Sequence, residues 1–297
     1  MMAIDTPAID KVAFQGLRGA YSHMACIEAY PQLTHIPCDF FYDVFHMVTQ
    51  DPHCIGLIPV ENSIAGRVSE IHQLLAHSTL HIIAEHYQPI SHCLLALPTC
   101  SIEDIRTIKS HSQALMQCQD IIHHHRWQQV AVTDTAQAAL DVSRGTHIHD
   151  AAIASSLAAK LYNLTILKTH IADTEHNTTR FIAVHAHPPA PHAPNTPSMA
   201  SLVLRIGNTP SSLYTILGYF AQHAINLTRL EGIIADDRFT QAQFYIDVEG
   251  NAYHPPLKHV LAQLQKESLE FRLLGCYPAS NFRKTPLLKT PSPIDTM

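Results

Sequence analysis

The sequence predicts an α/β protein in two parts: a long region of alternating strands and helices, followed by a small β-α-β-β-α-β domain. Apolar runs of strand length alternate with runs of helical periodicity over residues 10–186. Five prolines then fall within residues 187–197, a composition typical of an extended, semi-rigid linker. Strand and helix patterns resume beyond it in a different order, so we expect separate domains.

The alternating region begins with a strand at 12–15, a turn containing Gly16 and Gly19, and a helix over 22–30. Pro89 marks the point where the chain is expected to cross from a first lobe to a second. The other elements predicted for the first lobe are strands at 34–38, 54–60 and 80–84 and helices at 40–49 and 68–75. Those predicted for the second lobe are strands at 93–97, 106–109, 130–132 and 151–154, a helix bearing Leu115, Cys118, Ile121 and Ile122 on one face, and a helix capped by Asp134.

Polar residues gather where predicted strands lead into helices, at 16–22, 61–63 and 110–113. Free backbone N–H groups and the helix dipole at such junctions favour an anionic ligand. Binding sites in α/β sheets lie at the carboxyl ends of the strands, so we expect the three junctions to face a common cleft. Ser63 and Ser110 could equally serve only as helix caps.

The region after the linker reads as strand, helix, two strands, helix and strand. The strands are predicted at 201–206, 225–234, 244–248 and 271–277, one helix opens at Pro210, and the other spans 257–264. This order is that of a ferredoxin-like unit. Residues 279–297 are rich in Pro, Lys and Thr and are predicted to form a flexible tail.

Composition excludes several classes of partner. With a net charge of −6 and 19 Lys and Arg spread thinly over 297 residues, we expect no nucleic-acid or acidic-membrane surface. The first ten residues lack a signal-peptide pattern and no apolar run reaches the ~18 residues of a transmembrane helix, so a cytoplasmic protein is expected. Seven cysteines without a C-x-x-C pair indicate a reducing compartment. The 23 histidines, including His123 to His125, show no metal-ligand spacing, so we expect no metal site.

Five motifs occur in an order similar to that of one known enzyme family. They are Gly16-Leu17-Arg18-Gly19-Ala20-Tyr21-Ser22, Pro59-Val60-Glu61-Asn62-Ser63-Ile64-Ala65-Gly66-Arg67-Val68, Ser110-His111-Ser112-Gln113-Ala114-Leu115-Met116-Gln117-Cys118, Asp134-Thr135-Ala136-Gln137-Ala138-Ala139 and Asn177-Thr178-Thr179-Arg180-Phe181. A β-α-β-β-α-β region containing Asn226-Leu227-Thr228 follows. Over residues 11–278 the chain resembles prephenate dehydratases that carry a C-terminal ACT domain.

The resemblance implies a catalytic domain at 10–186 of the periplasmic-binding-protein-like type, with a cleft between lobe 1 (10–88 and 170–186) and lobe 2 (89–169). It further implies a linker at 187–198 and an ACT regulatory domain at 199–278. The implied activity is decarboxylating dehydration of prephenate to phenylpyruvate, water and CO2 in phenylalanine biosynthesis, with no metal or organic cofactor. The implied partners are a second or further copies of the chain, in a homodimer or homotetramer, and L-phenylalanine as an allosteric effector.

The resemblance also assigns candidate active-site residues. Thr179 is the candidate donor of a hydrogen bond or proton to the departing hydroxyl. The other catalytic candidates are Asn62, Ser110 and Gln117 as neutral donors and Glu61 as an acceptor, and the substrate-binding candidates are Ser22, Ser63, Arg180 and Phe181. Arg180 suits a carboxylate, although strand geometry points it away from the face that carries Thr179.

A second set of candidates lies in the C-terminal domain, where the family binds phenylalanine. These effector-binding candidates are Asn208, Pro210, Ser211, Ser212, Leu213, Asn226, Leu227 and Glu231. Ser211 stands where the family usually has Gly, and Ile233 and Ile234 stand where it has Arg and Pro. A Gly lets the backbone approach a ligand, Arg supplies a forked donor and Pro fixes φ, so we expect a weakened or altered response to phenylalanine.

Two other functions fit the same features. Arogenate dehydratase would use the same residues on the amino analogue of prephenate, and the sequence does not separate the two. A non-catalytic sensor of small anions would have a similar cleft without a proton donor. Thr179 beside neutral amides favours an enzyme.

Overall fold

The computed structural model describes residues 8–145, 147–207, 209–234 and 242–284. The elements alternate along the chain much as the apolar periodicity predicts. The strands are β1 (Lys11–Gln15), β2 (Thr34–Cys38), β3 (Cys54–Asn62), β4 (Gly66–Arg67), β5 (His81–Pro89), β6 (Cys93–Ala96), β7 (Thr107–His111), β8 (Gln128–Val132), β9 (Asp150–Ala154), β10 (Thr165–Lys168), β11 (Thr178–His185), β12 (Ser198–Ile206), β13 (Leu227–Ile234), β14 (Ala242–Glu249) and β15 (Glu270–Pro278). The helices are α1 (Tyr21–Ala29), α2 (Phe41–Gln50), α3 (Ser69–His77), α4 (Ser112–Met116), α5 (Gln119–His125), α6 (Thr135–Arg144), α7 (Ser156–Leu161), α8 (Ser212–Gln222) and α9 (Leu257–Glu267).

The first sheet has the strand order β2-β1-β3-β11-β5, with the short β4 paired to β3. Strands β1, β2 and β3 are parallel, whereas β11 runs antiparallel between β3 and β5. The chain therefore leaves this sheet after β5 and returns to its middle at β11. The start of β11 lies beside the carboxyl end of β3 as a result.

The second sheet has the order β10-β6-β9-β7-β8. Its three parallel strands are β7, β8 and β9, and β6 and β10 extend it in antiparallel fashion. Each sheet is thus less purely parallel than the alternation of elements predicts. The chain crosses between the two sheets twice, at residues 90–92 and again at 169–177.

The single helix predicted to carry Leu115, Cys118, Ile121 and Ile122 is two helices, α4 and α5, in the structure. The apolar stripe from Leu115 to Ile122 is interrupted between α4 and α5. The carboxylate of Asp173 accepts hydrogen bonds from the backbone N–H groups of Gln119 (2.9 Å) and Asp120 (3.1 Å), and so caps α5. The backbone N–H of Asp173 donates to the carbonyl of Gln117 (2.8 Å). Asp173, in the second crossing segment (residues 169–177), therefore stabilises the interruption between α4 and α5. Gln117 lies at the end of α4 as a result.

The C-terminal strands form a third sheet of order β13-β14-β12-β15 with α8 and α9 packed on one face. The opposite face packs against the first sheet. Tyr245 and Tyr277 of the C-terminal sheet share one apolar core with Ile58 and Ile82 of the first sheet. At Gly275 a Cβ would lie 2.0 Å from the carbonyl oxygen of Ile82, so the two backbones approach too closely for any side chain there. The C-terminal domain is docked on lobe 1 by a continuous apolar interface.

The predicted flexible tail, 279–297, is ordered at its beginning, which corrects that prediction for residues 279–284. The backbone N–H of Ser280 donates to Glu85 Oε1 (2.9 Å), and Arg283 donates to the same carboxylate from Nε (2.7 Å). Because Glu85 has a fully buried side chain in β5, these contacts hold the segment on lobe 1. Residues 285–297 lie outside the described part of the chain.

Within the described ranges, the helices include none long and apolar enough to cross a membrane. The seven cysteines are free and buried.

Candidate active site

Thr179 lies near the start of β11, where the first sheet faces the crossing segments. In the sheet register it stands beside Asn62 of β3 and Gln88 of β5. Its side chain is largely buried, at 9% exposure, and Oγ1 accepts a hydrogen bond from Asn62 Nδ2 at 2.9 Å. The structure thus brings Thr179 and Asn62 together, as predicted.

Hydrogen bonds continue from Asn62 into the second lobe. Asn62 Nδ2 also donates to Asn177 Oδ1 (2.6 Å), and Asn177 Nδ2 donates to Gln117 Oε1 (2.8 Å). His92 Nε2 lies 2.9 Å from the same Gln117 oxygen. Because Asn62 belongs to the first sheet and Gln117 follows α4 of the second lobe, the chain of side chains joins the two lobes. Gln117 is brought to the site as predicted.

The glycine-rich turn after β1 makes a second set of contacts between the lobes. The backbone N–H of Leu17 donates to Asp134 Oδ2 (3.0 Å), and Ser155 Oγ donates to the carbonyl of Gly19 (2.5 Å). Gly16 has φ +108°, and a Cβ on it would lie 2.6 Å from Asp134 Oδ2. Since a side chain would be strained there and would block the contact, only glycine fits. The carboxyl ends of strands from both sheets therefore face each other.

Arg180 points to the opposite face of the first sheet from Thr179, and its side chain is 2% exposed. The guanidinium donates to Glu85 (2.9 Å), Glu61 (3.0 Å), Asp247 (2.6 Å) and the hydroxyl of Tyr277 (2.9 Å). Two of these partners belong to the C-terminal domain. Arg180 is therefore a contact between domains, which corrects the prediction that it binds the substrate carboxylate.

Two buried carboxylates beside Arg180, those of Asp247 and Glu85, have pKa values below their ordinary range. Burial opposes ionisation of Asp247, but the charge and hydrogen bonds of Arg180 hold its pKa below the ordinary value. Burial likewise opposes ionisation of Glu85, and the hydrogen bond from Arg283 together with the charges of Arg180 and Arg283 keeps its pKa low. Burial alone would lower the pKa of Arg180, yet the neighbouring charges, Asp247 foremost, raise it well above its usual range. The cluster is a set of buried ion pairs.

Three other sequence predictions for this site are corrected by side-chain placement. Glu61 is committed to Arg180 and, at 3.0 Å, to Arg229 of β13, on the face away from Thr179. Phe181 is 1% exposed and packs in the core of the first lobe. Ser110 is fully buried and donates to the carbonyl of Ile153 (2.6 Å). None of these three side chains is presented to the cleft.

The two remaining candidates for substrate contact are Ser22 and Ser63. Ser22 is in the first turn of α1, 9% exposed, at the carboxyl end of β1. Ser63 is exposed, and its Oγ accepts from the backbone N–H of Thr178 (3.0 Å). Their roles in binding remain proposals.

Sequence reasoning missed three members of the hydrogen-bonded chain: Asn177, His92 and Tyr21. Tyr21 Oη lies 2.8 Å from His92 Nδ1 and 2.9 Å from the carbonyl of Ser91. Burial raises the pKa of Tyr21 well above its usual range. Asn177 and Tyr21 stand inside recognised motifs and could have been found there, whereas His92 lies in none.

A cavity of about 630 Å³ lies between the two crossing segments. His92 and Asn177 contribute to its wall, together with His170, Asp173 and His176. Among the described residues, no group of three or more His, Cys, Asp or Glu side chains is arranged to hold a metal ion. The cavity is a space beside the site whose lining combines histidine, amide and acidic side chains with apolar residues.

The effector-binding candidates are described in part, because Asn208 lies outside the described residues. Ser211 precedes α8 with φ +70°, in the left-handed region that the family fills with glycine. Glu231 pairs with Arg67 of lobe 1 (3.1 Å) and Arg229 (3.3 Å), so its carboxylate is occupied by a contact between domains. This occupancy argues against the predicted effector contact of Glu231.

The remaining candidates take ordinary places in the domain. The hydroxyl of Ser212 bonds that of Thr209 (2.6 Å), and the carbonyl of Asn226 accepts from Glu249 (3.0 Å). Pro210 is exposed, and Leu213 and Leu227 pack at the margin of the C-terminal core.

Comparison with known proteins identifies the family. The prephenate dehydratase family model matches residues 12–189. A bifunctional N-acyl-homoserine lactone acylase/prephenate dehydratase of Komagataeibacter europaeus is 40% identical over 275 residues, covering 93% of this chain and 98% of the relative. Arogenate dehydratase/prephenate dehydratase 1 of Arabidopsis thaliana is 34% identical over 282 residues, covering 90% of this chain and 72% of the relative.

Solved structures show the same likeness. A crystal structure of prephenate dehydratase from Arthrobacter aurescens in complex with L-Phe superposes with a TM-score of 0.85 at 27% identity, covering 95% of this chain and 93% of that one. The family match spans both lobes and all six residues of the chain of side chains that ends at Thr179, from Tyr21 and His92 through Gln117, Asn177 and Asn62. This chain belongs to the prephenate dehydratase family.

Proposed function

We propose that this protein is a prephenate dehydratase that converts prephenate to phenylpyruvate, water and CO2, with Thr179 as the hydrogen-bond donor to the departing hydroxyl. The observation that carries the proposal is the direction of the hydrogen bond between Asn62 and Thr179. Asn62 Oδ1 accepts from the backbone N–H groups of Ile64 (3.0 Å) and Ala65 (2.8 Å). The Asn62 amide is thereby oriented, and its Nδ2 must donate to Thr179 Oγ1.

This orientation leaves the proton of Thr179 available. A threonine hydroxyl has one O–H donor and two acceptor lone pairs, and Asn62 occupies one of the lone pairs. The hydroxyl can then donate to a leaving group in the cleft. An amide donor at the oxygen also stabilises negative charge that develops on Thr179 if its proton moves.

The chemistry needs little more than alignment and a donor. The bond from the ring to the leaving hydroxyl breaks, the electrons of the bond to the departing carboxylate enter the ring, and the hydroxide takes up one proton to leave as water. Aromatisation supplies the driving force, so positioning and one hydrogen-bond donor are sufficient catalysts. Neutral Asn62, Asn177 and Gln117 suit product release because they add no positive charge that would retain the phenylpyruvate anion.

Two relatives raise alternatives for the substrate. The Arabidopsis relative is named for arogenate as well as prephenate, and arogenate dehydration would use the same groups. The Komagataeibacter relative is also named as a lactone acylase. If Thr179 attacked an acyl group, a base would have to accept the proton of its hydroxyl. The side chain hydrogen-bonded to Thr179 Oγ1 is the amide N–H of Asn62, which donates and so cannot serve as that base. The geometry therefore favours dehydration.

We further propose that the C-terminal domain is an ACT-type regulatory domain that binds L-phenylalanine in a dimer or tetramer of the chain. The order of strands and helices and the resemblance support it, and the Arthrobacter relative holds L-Phe. Ser211 and the engaged Glu231 support a weakened or altered response. Calorimetric titration with phenylalanine tests this: tight binding with strong inhibition would contradict a weakened site.

The decisive experiment is incubation of the purified protein with prephenate, arogenate or an N-acyl-homoserine lactone, with each product measured separately. We expect phenylpyruvate from prephenate. Thr179→Ala should lower turnover about 10²- to 10⁴-fold with little change in KM, and Thr179→Ser should recover much of it. Near-normal turnover in folded Thr179→Ala would refute the role of Thr179. Absence of phenylpyruvate, with turnover of another substrate, would refute the proposed reaction.

A further inference from the structure

The amide orientations in the hydrogen-bonded chain that ends at Thr179 can be assigned one after another. Since the orientation of Asn62 is fixed by two backbone N–H groups, its Nδ2 also donates to Asn177 and so requires the oxygen of the Asn177 amide to face it. Asn177 Nδ2 then donates to Gln117, whose Oε1 must be the acceptor. Each amide orientation follows from the one before it.

The same reasoning assigns the proton on His92. Gln117 Oε1 is an acceptor and lies 2.9 Å from His92 Nε2, so Nε2 must carry the hydrogen. In a neutral ring Nδ1 is then an acceptor, and the single proton of the Tyr21 hydroxyl lies between it (2.8 Å) and the carbonyl of Ser91 (2.9 Å), which can also only accept. Burial, opposed by the hydrogen bond to Gln117, lowers the pKa of His92, which favours the neutral ring.

His92 cannot itself touch the substrate on this geometry. Its side chain is 2% exposed, and both ring nitrogens face protein partners. It lies in the first crossing segment between the lobes, while Asn177 lies in the second. The two segments are joined by backbone hydrogen bonds, Ile90 N–H to the carbonyl of Asn177 (2.8 Å) and Ile171 N–H to the carbonyl of His92 (3.1 Å).

We propose that His92 is a positioning residue, whose Nε2–H holds the Gln117 oxygen in place against Asn177 and so supports the chain of amides that ends at Thr179. The inference rests on the proposed dehydratase function and adds a residue to it. Without the Nε2–H, Gln117 Oε1 keeps only its donor Asn177, so the Gln117 amide is held less firmly and the alignment of Asn177 and Asn62 with Thr179 is loosened.

The first test compares two substitutions in the full-length protein. His92→Leu removes the donor and should lower kcat about 10- to 100-fold with KM changed less than about threefold, because misalignment of a catalytic group costs turnover more than binding. His92→Gln restores an N–H donor near the Nε2 position and should recover most of the loss. His72→Leu is the matched control, since His72 is similarly buried in α3 but packs against Tyr245 of the C-terminal domain. It should retain wild-type kcat.

Denaturation curves separate a positioning role from a structural one. Wild-type kcat in folded His92→Leu would overturn the proposal. So would equal losses of kcat in His92→Leu and His92→Gln that follow equal losses of stability.

A second readout is independent of activity. Nitrogen-15 NMR of the histidine rings, with His92 assigned by its absence in His92→Leu, should show the Nε2–H tautomer at neutral pH. Tyr21→Phe should shift that signal. A Nδ1–H tautomer or an imidazolium would overturn the assignment even if the enzyme is active. A wild-type protein inactive on prephenate and arogenate but with the expected tautomer would refute the proposed function alone.

Discussion

Replacement of Arg180 by Met tests how the C-terminal domain is held on lobe 1. Methionine keeps an apolar side chain of similar reach in a site that is 2% exposed, and removes the guanidinium. Glu85 keeps its bonds from Arg283 after the change, and Glu61 keeps its pair with Arg229. The carboxylate left without a cation is therefore Asp247.

The cost is set by the burial of Asp247. The Asp247 side chain is fully buried in β14. After the substitution it keeps the hydrogen bond from the Ser201 hydroxyl, but none of the described residues supplies a cation in place of Arg180. Removing one member of a buried ion pair leaves an uncompensated charge and costs about 3–5 kcal/mol. We expect Arg180→Met to lose about that much of the free energy of unfolding at pH 7. Lys11→Met, which breaks a half-exposed pair of similar length with Asp51, should cause a much smaller loss.

The pH dependence has a definite sign. In the wild-type protein the pKa of Asp247 is held below its ordinary value, so its pairing stabilises the fold above that value and the stabilisation is lost as pH falls through the folded pKa. In Arg180→Met burial acts without the opposing charge, so the folded pKa should rise above the ordinary value. The folded state then binds a proton more tightly than the unfolded chain. The loss in the variant should shrink as pH falls from 7 towards 4.

Urea denaturation followed by far-UV circular dichroism at pH 7 and pH 5 measures these effects. Adding Asp247→Asn to Arg180→Met removes the unpaired charge and should recover about 2 kcal/mol or more at pH 7. The reasoning is refuted if Arg180→Met unfolds within about 1 kcal/mol of the wild type, below the range expected for a buried pair. It is equally refuted if the double variant is no more stable than the single one.

Three further changes have expected outcomes. Gly275→Ala should destabilise by about 1–3 kcal/mol in urea denaturation because its Cβ would meet the Ile82 carbonyl, whereas Gly218→Ala, with open space around it, should stabilise by about 0.5–1 kcal/mol; equal effects would contradict the close docking. Ser211→Gly should stabilise by up to about 1 kcal/mol by relieving a left-handed φ, and a loss of stability would show that the serine is not strained. Dehydratase activity should survive exhaustive dialysis against EDTA, and activity lost there and restored by one divalent ion would contradict a metal-independent site.

Local periodicity predicted much of the fold and part of the site. Alternating apolar patterns located the strands whose carboxyl ends face each other, and the motifs placed Asn62, Gln117 and Thr179 together. Strand geometry alone predicted that Thr179 and Arg180 point to opposite faces. The strands and the opposite faces of Thr179 and Arg180 depend on residues near one another in the sequence, which is why a reading of short segments finds them, whereas Asn62, Gln117 and Thr179 were grouped by the family resemblance.

Features that depend on distant residues were not predictable in this way. Arg180 could be recognised as a cation but not matched to Asp247, which lies in another domain. The break after Gln117 depends on Asp173, which caps α5 from the second crossing segment. His92 lies in none of the five motifs. Its proposed role can be inferred only from the structure, where Gln117 Oε1 accepts from Asn177 and therefore also from His92.

The prediction that Glu61 faces the cleft fails for a specific reason in the backbone. From Phe181 onward, β11 pairs with β3 so that Phe181 opposes Pro59 and Ile182 opposes Ile58. Continued without interruption, this register would set Glu61 opposite Thr179, as regular alternation from the apolar part of β3 predicts.

The register shifts by one residue between Arg180 and Phe181, and Val60 is left without an opposing residue. This bulge sets Asn62 opposite Thr179 and moves Glu61 beside Arg180. A neutral amide, rather than a carboxylate, therefore bonds the hydroxyl of Thr179, while the carboxylate joins the ion pairs beneath the C-terminal domain. A carboxylate at that position would accept the hydrogen bond of the Thr179 hydroxyl, which could then not donate to the leaving group. One extra residue in β3 thus determines both the amide partner on which the proposed donor role of Thr179 rests and the charge balance at the interface between domains.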